Sequence, residues 1–163
     1  MISWCQIKPV LRGNIGLALR ALGFENPGTT MWRHRAHFVD VVHFNPHFNS
    51  FSVEFGCSLR SFHLLHPKPW ETMFRSNLEN APGRENLQWR NFAETLAEEQ
   101  RNIQELIPLI VDGMNRWFAK FENIASAREA VERNQRFGPD AIGIGNVGSP
   151  NYHSILAALN AVS

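Results

Sequence analysis

The sequence predicts an α+β fold: an N-terminal helix, a three-stranded antiparallel meander, then three or four helices packed on the sheet. Three observations carry this. Apolar residues recur at three- and four-residue steps up to Leu22 and again after Leu87. Between those stretches the period drops to two. The links within the period-two region are too short for parallel crossovers, so the strands must pair antiparallel. The 163 residues fit one domain, spanning 1–163, with enough apolar residues (44%) for a core that needs no staples.

The first helix, Cys5 to Leu22, places Ile7, Leu11, Ile15, Ala18, Leu19 and Leu22 at helical spacing, with Pro9 expected in its first turn. Gly23 reads as its stop, in a left-handed conformation that lets Phe24 fold back onto the sheet. Glu25–Gly28 is turn chemistry. Thr29–Arg35 and Phe38–Phe44 are the first two strands, joined to the third by a turn over Asn45–Ser50. The third strand is the clearest: Phe51, Val53, Phe55, Cys57 and Leu59 alternate with Ser52, Glu54, Gly56 and Ser58. Gly56 marks a bulge or relieves crowding.

Proline and glycine punctuate Ser61 to Arg84, predicting an irregular excursion with a short helix near Glu71–Asn77. An amphipathic helix follows from Leu87 to about Gln104, with Phe92, Leu96 and Ile103 as its buried stripe. Another runs from Glu105 to Phe121 on Leu106, Leu109, Ile110, Met114, Trp117, Phe118 and Phe121, with Pro108 as a kink or restart. Ser126 is the expected cap of a short helix to about Phe137. Ser149 and Pro150 open the last helix.

The stretch Leu19-Arg20-Ala21-Leu22-Gly23-Phe24, with Trp32, then Val41-Val42-His43-Phe44 and Phe51-Ser52-Val53-Glu54-Phe55-Gly56, resembles an uncharacterised bacterial family known as domain of unknown function 4304. The resemblance covers residues 19–60 and departs from the family pattern at Asn45, where glutamine is usual. It implies a compact bacterial α+β domain and transfers no catalytic residue.

Composition excludes several classes. Net charge is only +1, which gives no global pull toward nucleic acid or acidic membrane. Residues 1–90 carry ten Lys/Arg against six Asp/Glu, and residues 91–163 carry six against nine, so the second half is mildly acidic. Cys5 and Cys57 form neither a metal pair nor a disulfide framework. With neither a leader pattern nor an apolar span, the expected location is cytoplasmic.

Gly143-x-Gly145-x-x-Gly148 imitates a dinucleotide fingerprint, but proline and aspartate precede it where an apolar strand belongs, and no acidic second strand follows. It reads as the entry to a capped helix, whose first amides could at most hold an anion. Seven histidines lack any zinc spacing signature, so neither metal nor cofactor is expected. His34 or His37 could approach His43 only by cross-strand pairing. Cys57 falls on the apolar side of its strand, which disfavours a Cys–His nucleophile. Asp40 interrupts an apolar strand; if buried it needs Arg33 or Arg35. Asp40 and Glu54, on neighbouring strands, could do acid–base work but read more readily as a solvent face. Met31–Phe38 interleaves basic and aromatic residues, as single-strand nucleic-acid binders do. Alternation, however, turns Trp32 and His34 away from Arg33 and Arg35, and the arginines read equally well as charges along a sheet edge.

The leading expectation is a non-enzymatic bacterial protein-binding module, such as an immunity protein that neutralises a toxin. It would meet its partner through an acidic helix face at Glu94, Glu98, Glu99 and Glu105, with Asp112 further along. The first alternative is small-molecule or single-stranded nucleic-acid binding on an open sheet face at Trp32, His34, His43 and Arg60. The second is an enzyme of unrecognised type.

Overall fold

The computed structural model describes residues 2–25, 28–48, 50–62, 66–77, 92–133, 143–144 and 152–162. Helix α1 is Trp4–Ala21. Strands β1 (Thr30–His34), β2 (Phe38–Pro46) and β3 (Phe51–Leu59) form the expected meander. A fourth strand, β4 (Phe74–Asn77), and a two-residue β5 (Gly143–Ile144) extend it to the order β1-β2-β3-β4-β5, antiparallel throughout. Helices α2 (Leu96–Ala119), α3 (Ile124–Arg133) and α4 (Tyr152–Asn160) complete the α+β architecture.

Helix α1 ends as its sequence dictates. Gly23 has φ 85°, its N–H reaches Arg20 O at 2.9 Å, and the Phe24 N–H reaches Leu19 O at 3.1 Å. This reciprocal pair closes the last turn and drives Phe24 into the core beside Phe118. Pro9 lies inside the helix, not in its first turn. Pro108 likewise lies inside α2, so the two helices expected on either side of it are one. The carbonyls these prolines leave without their helical donors belong to Cys5 and Gln104, both exposed residues.

Two helix starts differ from expectation, α2 beginning at Leu96 rather than Leu87. Thr95 opens α2, its hydroxyl accepting from the Glu98 N–H at 3.3 Å. Asn123, rather than Ser126, opens α3, with Oδ1 accepting from the Ser126 N–H at 2.9 Å. The helix expected near Glu71–Asn77 is instead a 3₁₀ turn over Pro69–Glu71 followed by β4. Residues 78–91, Ser149 and Pro150 lie outside the described residues.

Alternation along β2 and β3 separates two faces. The inner face, with Met31, Phe38, Val42, Phe44, Val53, Phe55, Cys57, Leu59 and Phe74, shares one core with Ile7, Leu11, Ile15 and Leu19 of α1 and Ile103, Ile110, Met114, Trp117 and Phe118 of α2. Residues of α3 and α4, among them Val131, Ile155 and Leu159, join the same core. Leu96 and Leu109, expected inside, are instead 38% and 41% exposed. On the outer face Trp32, Val39 and Val41 make a separate small apolar cluster. At the outermost strand, Glu25 exchanges two backbone hydrogen bonds with Trp32, at 2.7 and 3.2 Å.

Candidate functional site

Three groups of polar side chains stand out, in three different places. The first is inside. Asp40 is fully buried on the inner face and carries two guanidinium partners. Arg33 donates through Nε to Oδ2 at 2.9 Å, and Arg35 through one terminal nitrogen to Oδ1 at 2.6 Å. Both arginines reach further. Arg33 donates to Leu22 O at 3.2 Å, just beyond α1, and Arg35 to Phe121 O at 2.7 Å, just beyond α2. Each thus sets a cation where a helix ends and its carbonyls point outward. Arg33 also lies 4.7 Å from the centre of the Phe24 ring. The sequence names both candidate partners for Asp40; the structure uses both.

The same cluster settles Cys57. Its Sγ is 3.7 Å from Arg35 and the residue is wholly buried. Burial first, and then the Asp40 carboxylate, push the thiol well above its ordinary range. A protonated, inaccessible thiol is a core residue. Asp40, pinned by two arginines and out of solvent, is likewise no partner for Glu54 in acid–base work, because Glu54 lies on the opposite face.

The second group is the outer face, where Trp32, His34, His43 and Arg60 do not converge. Trp32 is covered: its indole N–H donates to Pro67 O at 2.8 Å, and its ring packs 4.6 Å from that of His66. His34 is exposed, 6.2 Å from the His66 ring. Arg60 is exposed at the far end of β3 and donates to Arg35 O at 3.4 Å. Only His43 sits in a dense polar setting. Its Nδ1 is 2.8 Å from Thr30 Oγ1, which also accepts from Lys68 Nζ at 3.2 Å. Glu54 pairs across the strand with His43 and accepts from Asn45 at 2.7 Å, and Trp70 meets the imidazole edge-on at 5.6 Å. Arg33 and Arg35 face inward, as alternation predicts. Asp40 and the backbone engage both of them, on what is the outermost strand of the sheet.

Burial lowers the His43 pKa below its usual 6.5, opposed by Glu54 and reinforced by Lys68. A folded pKa below the unfolded one means that the unfolded chain binds more protons in between. The contribution of His43 to stability is therefore complete above pH 6.5 and falls away as pH drops through the folded value. Denaturation midpoints followed from pH 8 to pH 5 should decline on the acid side, and His43→Gln should flatten that limb. An unaltered slope in the variant would remove His43 as its source.

The third group is the predicted acidic face. Glu94, Glu98 and Glu105 are exposed, but Glu99 is not: it is buried, and its carboxylate accepts from the Ala93 N–H at 2.8 Å. It continues the buried row of Ile103, Ile110, Met114 and Trp117, so it stabilises the helix start and presents nothing to a partner. Glu98, Glu105 and Asp112 instead share one exposed stripe at seven-residue spacing, flanking Leu109, with Asp112 paired to Arg116 at 3.1 Å.

No three metal-ligating side chains converge among the described residues. No helix among them is long and apolar enough to cross a membrane. Gly143 begins β5, antiparallel to β4, which is not the parallel strand that a dinucleotide fingerprint requires; Gly145 and Gly148 lie outside the described residues. What fold and side chains define is a class: an antiparallel α+β domain with helices on one sheet face. No protein-family model, curated protein or solved structure matches the chain.

Proposed function

We propose that the chain is a non-enzymatic protein-binding domain of the immunity-protein kind, which meets a basic partner through the solvent side of α2. One observation carries this: Glu98, Glu105 and Asp112 line up along an exposed helix face around Leu109, which is 41% exposed. An exposed apolar side chain beside carboxylates is how a surface gains both contact area and steering, with Arg116, paired to Asp112, on the same face. Glu94 extends the acidic end, and Glu99 drops out. The likeness of residues 19–60 to the bacterial family of unknown function is part of the same proposal. It is supported by the Gly23 helix stop and by the strand order that follows it.

Charge reversal at Glu98, Glu105 and Asp112 together tests the reading. Native mass spectrometry of the protein isolated from its host should show a stoichiometric basic companion with the natural chain and none with the reversed one, their melting temperatures remaining alike. A companion held equally by both would move the interface off α2. A bare monomer from both would remove the binding function itself.

A further inference from the structure

The outer sheet face carries a proline-containing segment of the chain itself. Between His66 and Thr72 the chain crosses this face as a strap. Pro67 and Pro69 are both buried, and Lys68 between them has φ −86° and ψ 157°, close to polyproline II. Beneath them lies the Trp32, Val39 and Val41 cluster, which is separate from the main core. The Trp32 indole N–H donates to the Pro67 carbonyl at 2.8 Å. Lys68 Nζ donates to Thr30 Oγ1 at 3.2 Å, with Glu54 on the same face. These are the elements of polyproline recognition: an aromatic floor, an indole donor for a peptide carbonyl, and a polar anchor for the residue between prolines.

We infer that this face is an autoinhibited docking groove for an extended Pro-basic-Pro peptide of a partner protein, closed in cis by His66–Pro69. The strap is fixed on its C-terminal side by Thr72, fully buried under Gly56, and by the pairing of β4. At its other end it is held by the Trp32–Pro67 hydrogen bond and the Trp32–His66 ring contact, which are the contacts a competing peptide must replace. Exchange needs no covalent step, only displacement of one proline segment by another. The inference goes beyond the α2 reading and uses none of its residues.

A tethered segment competes at an effective concentration of about millimolar, and a groove open for only a fraction of the time loses apparent affinity by that fraction. The probe is a synthetic peptide carrying the sequence of His66 to Trp70, titrated while the Trp32 indole N–H is followed by NMR. The control is the same peptide with both prolines changed to alanine. Weakening the cis segment with the double variant Pro67→Ala, Pro69→Ala should raise affinity for the proline peptide by about tenfold or more over the natural chain. Adding Trp32→Phe, with binding then read by titration calorimetry because the indole signal is gone, should abolish that gain, and the alanine peptide should not bind. A cooperatively folded double variant whose Trp32 signal does not respond to the proline peptide would overturn the inference, as would equal binding of both peptides. If the double variant does not fold, Lys68→Ala takes its place, since it removes the strap's polar anchor and leaves both prolines. A Trp32 signal blind to the peptide in that variant overturns the inference equally.

Discussion

Replacing Asp40 with alanine is expected to cost about 3–5 kcal/mol, a large share of the 5–15 kcal/mol that holds a typical domain together. The size follows from what is left behind. Arg33 and Arg35 are only about one-fifth exposed, at 20% and 21%, so neither cation can turn fully to water once its counter-charge is gone. Both also hold carbonyls at the ends of α1 and α2. The loss therefore spreads from the sheet to both helices that cover it. Urea denaturation should show the midpoint collapsing in Asp40→Ala, with a smaller fall in Asp40→Asn, which keeps an acceptor but no charge. In a double-mutant cycle Asp40 should couple to each arginine. A midpoint unchanged in Asp40→Ala would mean that the cluster contributes nothing to holding the helices on the sheet.

The second large effect is expected at Gly56. A Cβ placed there would sit 2.2 Å from Thr72 Oγ1 and 3.0 Å from Thr72 Cβ. Thr72 has nowhere to retreat. It is fully buried, with its hydroxyl within reach of two carbonyls, Pro69 O at 2.5 Å and Phe74 O at 2.8 Å. Gly56→Ala should cost about 1–3 kcal/mol by forced displacement, and Gly56→Val more. The strain falls on the strap and β4 rather than on the helix-bearing face. Hydrogen exchange should thus quicken at Phe74–Asn77 before it does in α1. In a Thr72→Ala background the cost of Gly56→Ala should shrink, and a cost that does not shrink would assign the effect to something other than this contact.

How far the sequence predicts these features depends on how local their causes are. The meander was legible because alternation along Phe51–Leu59 and a short turn leave one pairing open. The Gly23 stop and the inward turn of Cys57 were legible for the same reason. Asp40 was legible because a carboxylate in an apolar strand must find a cation, and two stood on the neighbouring strand. By contrast, β4 is four residues long, too short for a period to show beside Pro69. Pro108 suggests a break because the sequence does not say on which side of the helix Gln104, whose carbonyl it deprives of a donor, will lie. Glu99 reads as part of the acidic face with Glu98, although its spacing to Ile103 and Ile110 aligns it with the buried row of a helix that Thr95 caps. The covering of Trp32 was not legible at all, since Pro67 is distant in sequence and nothing nearby marks it as a lid for an indole. Of the candidate site, then, the inner cluster was readable, the acidic stripe partly so, and the outer face only as an inventory of residues.

The pair of backbone bonds between Glu25 and Trp32 has a consequence for behaviour at high concentration. An outermost strand ordinarily offers a continuous row of donors and acceptors on which a second molecule can crystallise its own strand, the first step toward fibrils. Here the middle residue of β1, Trp32, has both outward groups satisfied within the chain, at 2.7 and 3.2 Å. An incoming strand meets an interrupted row too short to propagate. Growth from this side must wait for the segment after α1 to come away, so the lag before fibril formation should follow that local opening rather than global unfolding. Loosening the Gly23 turn that aims Glu25 at the strand should therefore shorten the lag out of proportion to any loss of stability.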